Sequence, residues 1–231
     1  MSETSARYVK EIAARNAIKL SAHAPYFINL NAHEPEKVRA SKDRILHTAR
    51  IAAACGAENL VFHAAYYLGD PPEDVYLRVR DHLRDITDQL RNDRNRILLR
   101  PEVTGKHTQF GQLEEVMRLS AEVDGVQPCI DFPHWHARTG AANSYDEFTN
   151  ILDWVERRLG RQALDNMHIH LSGISHGKAG ETKHLMLEES DFAYEQLMQA
   201  LKDRNAKGTV ISESPAPERD ALLLQRLYHM I

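Results

Sequence analysis

The segment Pro128-Cys129-Ile130-Asp131-Phe132-Pro133-His134-Trp135-His136 puts a carboxylate at the end of an apolar run and two imidazoles just after it. Five more short apolar runs end in the same way, on His23, His63, Glu102, His170 and Glu213, so that with Asp131 each run carries one ligand-type side chain. Three imidazoles and three carboxylates form a mixed nitrogen and oxygen donor set. Such a set suits zinc, with manganese or iron as second choices, better than magnesium or calcium, which prefer all-oxygen shells. Six donors exceed what one tetrahedral zinc uses, so the expectation is a cluster of two or three ions per chain. His134 and His184, in the loops after two of the runs, extend it.

Each residue also has a plainer reading. A single histidine at a strand end is more often a hydrogen-bonded core or loop residue, Asp131 can cap a helix, and Glu102 can pair with Arg100. It is the six together that favour ligation. His168 lies two residues before His170, on the same side of the strand by the pleat, and is expected in an interior layer. His33, His47, His82 and His229 fall on helices or surface loops and read as solvated. His107, His136 and His176 sit in loops where ligand and solvated readings stay open.

The elements that must hold these residues alternate without a break. Helical patterns at about 4–17, 35–56, 71–92, 112–123 and 144–160 are each followed by a short apolar run, at 18–22, 59–62, 96–100, 126–130 and 167–171. A long polar loop is expected from Ser172 to about Ser190, then a helix carrying Phe192, Leu197 and Leu201, the run 209–212, and a last helix from Glu218. Pro35 and Pro71-Pro72 suit helix starts, Gly56 suits a left-handed helix end, and Ser144 with Glu147 forms a capping box.

Right-handed βα alternation leaves a doubly wound sheet or a (β/α)8 barrel. No glycine-rich nucleotide motif follows any strand, so the α/β fold expected is a TIM barrel. A full barrel has eight strands in about 250 residues. Six runs preceded by a helix read as a barrel lacking its first two strands, in one domain spanning 1–231.

Composition narrows the setting. The chain has 231 residues, 42% of them hydrophobic, and a net charge of −4, which gives no global basic footprint for nucleic acid. Any contact with DNA must be local. No apolar run approaches the roughly 20 residues of a membrane helix, and the start MSETSARYVKEIAARN does not resemble a signal peptide, so no membrane partner and a cytoplasmic location are expected. Cys55 and Cys129 read as packed, reduced thiols.

From about residue 6 onward the chain resembles the endonuclease IV group of apurinic/apyrimidinic endonucleases, within the xylose-isomerase-like barrels. The segments that carry the resemblance are Ser21-Ala22-His23-Ala24-Pro25-Tyr26-Phe27-Ile28-Asn29-Leu30, Phe62-His63, Glu102-Val103-Thr104-Gly105, Cys129-Ile130-Asp131-Phe132-Pro133-His134, Ile169-His170-Leu171-Ser172 and Ile211-Ser212-Glu213-Ser214-Pro215. Two departures stand out. Ala64-Ala65 replaces the family's Pro-Gly, and Thr182 takes the place of an aspartate two residues before His184, with Glu181 adjacent.

The resemblance implies hydrolysis of DNA 5′ to abasic sites, in base excision repair, with no cofactor beyond metal. It implies metal ligation by His23, His63, Glu102, Asp131, His134, His170, His184 and Glu213, with Glu102 and Glu213 catalytic and bridging. Tyr26 is implied to pack into the DNA at the lesion. Arg138 and Lys178, with Lys106 and Lys183, are expected on the rim to meet phosphates.

Two other classes compete. A sugar isomerase or epimerase of the same superfamily needs one divalent ion and paired carboxylates, which Glu102, Asp131, His170 and Glu213 would suit. A non-catalytic metal-binding barrel is the other. A complete barrel is expected to be a monomer, whereas an open edge invites self-association.

Overall fold

The computed structural model describes all 231 residues. The first half of the chain runs α1 (Glu3–Arg15), β1 (Ser21–His23), α2 (Pro35–Ala54), β2 (Asn59–Phe62), β3 (Ala65–Tyr66), α3 (Pro72–Asn92), β4 (Leu98–Pro101), β5 (Gln109–Phe110) and α4 (Leu113–Glu122). The second runs β6 (Cys129–Asp131), α5 (Phe132–Thr139), α6 (Tyr145–Leu159), α7 (Arg161–Leu164), β7 (Met167–Leu171), β8 (Gly173–Gly177), β9 (Gly180–Leu185), a 3-10 turn (Leu187–Glu189), α8 (Tyr194–Asp203), β10 (Gly208–Ser212) and α9 (Pro217–Met230). The chain divides into two compact units, one of residues 1–102 and 118–127, the other of 103–117 and 128–231.

In the first unit β1, β2 and β4 form a parallel sheet in that order. Every residue of β2 is buried, as expected of a strand flanked on both sides and covered on both faces. The helices that connect the strands bury one stripe each. On α3 it is Val75, Val79, Leu83, Ile86 and Leu90, at three- and four-residue steps. Both α2 and α3 begin on proline, whose missing N–H costs nothing in a first turn. Gly56 ends α2 with φ +87°, where a side chain would be strained.

In the second unit β6, β7 and β10 pair in parallel, with β7 central. Beneath them a core gathers Phe132, Phe148, Leu152, Ile169, Leu171, Leu197 and Leu201. The Phe132 and Phe148 rings meet edge to face at 5.7 Å, an arrangement worth about 0.5–1.5 kcal/mol beyond the area it buries.

The six apolar runs are the six strands of these two sheets. The added elements have local causes. Asp131 caps α5, taking the His134 N–H on Oδ1 at 2.6 Å, with Pro133 in the first turn and Gly140 at φ +65° closing the helix. The expected loop from 172 to 190 holds instead an antiparallel hairpin, β8 with β9, turned at Gly180 with φ +94°. Its sequence, GISHGKAGETKHL, lacks apolar alternation because its strands carry polar side chains, so period two is invisible there. Cys55 and Cys129 are buried and are not joined in a disulfide. No helix is long and apolar enough to cross a membrane.

Candidate metal centre

In the first unit, His23 ends β1, His63 follows β2 and Glu102 follows β4. Backbone pairing continues past the strand ends, with Ala24 N donating to Val61 O at 2.8 Å and Glu102 N to Phe62 O at 3.1 Å, so the three residues sit on ordered backbone. Glu102 is 1% exposed. Its Oε2 lies 3.0 Å from His23 Nε2 and 3.2 Å from His63 Nε2. His23 Nδ1 donates to Ala24 O at 2.7 Å, which assigns the proton of the neutral ring and turns the Nε2 lone pair toward the carboxylate. A lone pair facing a buried carboxylate oxygen is unfavourable unless a cation or a proton joins them. The donor set therefore fits a divalent ion. Tyr26 lies beside both imidazoles, tilted to one and edge-on to the other with ring centroids 5.4 and 5.6 Å away, while remaining 69% exposed.

In the second unit the register of β6, β7 and β10 does the positioning. Asp131 pairs with His170, and Glu213 N donates to Leu171 O at 2.8 Å just beyond β10. Asp131, His170 and Glu213 each place a donor atom within 4.8 Å of the others. His170 Nδ1 is 3.2 Å from Glu213 Oε1.

A further set lies between α5 and the hairpin. His134 Nε2 and His184 Nε2 are 3.2 Å apart. His184 Nδ1 donates to Glu213 O at 2.8 Å, and His134 Nδ1 faces Val103 O and Asp131 Oδ2, each at 3.2 Å. Both neutral rings thus point a lone pair at the other, which a bound cation would relieve. Glu181 supplies a carboxylate, Oε2 3.5 Å from His134 Nε2 and Oε1 3.9 Å from His184 Nε2. Thr182, which the resemblance aligns with an aspartate, turns its hydroxyl to Ser175. The carboxylate that reaches both rings is that of Glu181, the residue before Thr182. Gly105 makes room, since a Cβ there would stand 2.6 Å from Glu181 Cβ and 3.1 Å from His134 Cδ2.

Other expectations are resolved by burial. Arg138 is not a rim cation. It is 7% exposed, and its Nη1 donates to Thr104 Oγ1 at 2.8 Å and Gln109 O at 3.0 Å, because the last turn of α5 packs inward. Lys178 at the hairpin turn is exposed, as are Lys106 and Lys183. His168 is buried beside His170, ring centroids 5.5 Å apart, and its register partner on β6 is Cys129. Arg100 is fully buried, with Nε donating to Asn59 Oδ1 at 2.7 Å.

Parallel strands that end on carboxylate and imidazole donors define an α/β protein whose donor clusters fit divalent-metal sites. More particularly, the chain belongs to the xylose isomerase-like TIM barrel family, whose model matches residues 1–228. It is 48% identical over 230 residues to the uncharacterized protein MJ0133 of Methanocaldococcus jannaschii, covering 99% of this chain and 83% of that one. Its fold is similar to that of endonuclease IV from Thermus thermophilus, with a TM-score of 0.74 and 23% identity over 100% of this chain and 82% of the other. A D-tagatose 3-epimerase-like protein is nearly as similar in fold, with a TM-score of 0.72 and 18% identity over 99% and 82%.

Proposed function

We propose that the protein is a zinc-dependent hydrolase that cleaves DNA 5′ to abasic sites. The observation that carries this reading is the His134–His184–Glu181 set, which is separate from Asp131–His170–Glu213 within one unit. An isomerase working with one ion has no use for it. Bound divalent ions would supply positive charge to neutralise a phosphodiester and its leaving oxygen. The chain's own groups do the rest. Buried Glu102, against His23 and His63, is placed to hold or accept a proton, and Glu213 has a carboxylate oxygen beside His170. Exposed Tyr26 offers a flat face beside two donor histidines for a sugar or base, and Lys178, Lys106 and Lys183 offer charge to phosphates.

The second reading is a divalent-metal sugar epimerase. The mixed carboxylate and imidazole set of Asp131, His170 and Glu213 favours it, as does the likeness to the epimerase-like fold. Zinc-loaded protein incubated with a duplex holding one abasic-site analogue decides between them. Incision on its 5′ side, lost in Glu102→Gln, supports the hydrolase. Intact duplex together with turnover of a ketose supports the epimerase.

A further inference from the structure

A second pair of histidines meets across the same helix and hairpin, outside the sets described above. His136 follows His134 by two positions on α5, and such a step turns a helical side chain by roughly 200°, so the two rings leave the helix on different sides. His134 meets His184 of β9. His136 meets His176 of β8, with ring centroids 5.0 Å apart and the planes at 78°. The hairpin register shifts between Ser175 and His176, and an irregularity of this kind re-aims a side chain. Asp191, just before α8, completes the group with Oδ2 3.6 Å from His136 Nε2 and 3.8 Å from His176 Nε2.

His136 is the decisive member. It is 5% exposed, and its Nδ1 donates to Ala141 O at 2.9 Å, so the neutral ring keeps its lone pair on Nε2. That nitrogen is buried and has no hydrogen-bond partner. The gap of 3.6 Å to Asp191 exceeds a hydrogen bond but is close to the roughly 3.3 Å between neighbouring ligand atoms of a tetrahedral zinc. A backbone carbonyl on the far nitrogen of a histidine is also the usual support of a metal ligand. The aspartate is anchored as well. Asn143 Nδ2 donates to Asp191 O at 2.8 Å, and Ala193 N donates to Asn143 Oδ1 at 2.6 Å, which holds the chain on both sides of the aspartate.

We propose that His136, His176 and Asp191 form a separate divalent-cation site for zinc or an ion of similar softness. It belongs to none of the sets used by the proposed hydrolysis. Two imidazoles and one carboxylate leave a fourth position, and the Asp191 side chain is 65% exposed, so that position opens to water. A bound ion would tie the hairpin to α5 and to the segment before α8.

The test counts zinc. Chelator-stripped protein is titrated with Zn2+, gel-filtered and measured for zinc per chain, and its melting temperature is recorded with and without the ion. His176→Ala and Asp191→Asn change partly exposed side chains, and their folding is checked by circular dichroism. Each is expected to retain one zinc fewer per chain than the parent and to lose part of the zinc-dependent rise in melting temperature. His184→Ala, which removes a donor of the neighbouring set, combined with His176→Ala is expected to lose two. An unchanged zinc count and an unchanged melting shift in both single variants would overturn the site, including the case of a simple His136–Asp191 ion pair. Because the readout is zinc content, failure of the abasic-site assay leaves this result unaffected.

Discussion

His134 Nε2 stands 3.2 Å from His184 Nε2, while the far nitrogen of each ring faces backbone oxygen, Val103 O in one case and Glu213 O in the other. Two lone pairs held at that distance are stable around a cation. With Glu181 they make a three-donor set. We expect His184→Ala to remove one zinc per chain, and Glu181→Gln to weaken zinc at this set by at least tenfold. Competition against a chromophoric chelator measures both. Unaltered affinity in the two variants would mean that a shared proton, rather than a metal, joins the rings.

Gly105 bears on the same set from beneath. Its missing side chain leaves space that Glu181 Cβ and Oε2 fill, at 2.6 and 2.9 Å from where a Cβ would be. Gly105→Ala is expected to displace the glutamate and lower zinc affinity there, while costing roughly 1–3 kcal/mol through overpacking. Urea unfolding with and without zinc separates the two effects. If zinc content is retained at full affinity, Glu181 is not a ligand.

Arg138 and Lys178 are expected to differ in kind. Arg138→Met leaves Thr104 Oγ1 and Gln109 O without their buried donor, at about 2–4 kcal/mol. Lys178→Ala touches nothing buried and should leave the urea midpoint within error. Under the hydrolase reading it weakens binding to abasic duplex and lowers the slope of log K against log salt by about one. A salt slope equal to the parent's would remove Lys178 from the DNA contact.

Acid stability should trace in part to two carboxylates, Asp70 and Glu147, that belong to none of the donor sets. Asn31, His33 and Arg78 donate to Asp70 and hold it below its ordinary range, with Asn31 the largest influence. The Ser144 hydroxyl, then the Ala142 and Asn143 N–H groups, do the same for Glu147. A carboxylate whose folded pKa is depressed adds stability above its unfolded value, about 4, and that stability is lost as the pH falls through the folded value. Burial, the leading cause, pushes His82 down, so the unfolded chain takes up that proton first and stability erodes in the same direction on acidification. Urea midpoints of metal-free protein between pH 6 and pH 3 should fall, and fall less steeply in Asp70→Asn and Glu147→Gln. Parallel curves for parent and variants would contradict this.

The strands and their terminal donors were legible because both signals are local. Runs such as Asn59-Leu60-Val61-Phe62 are apolar throughout, since a central parallel strand is covered on both faces, and the residue after such a run needs only its place in the chain to be found. Asp131 was readable as a cap for the same reason, as its partner is three residues away. The hairpin was not readable. Its strands carry Ser175, His176, Lys183 and His184 where apolar alternation would have marked them.

By itself, then, the sequence determined the six strands, the donor at the end of each, and the buried stripes of the helices, because periodicity and capping act over a few residues. Only the tertiary structure decided which carboxylate serves His134 and His184, that Arg138 turns inward, and that His136 meets His176 and Asp191. Those outcomes depend on where a side chain points after distant segments pack. The shift at His176 and the absence of a side chain at Gly105 set that direction, and neither leaves a pattern along the chain.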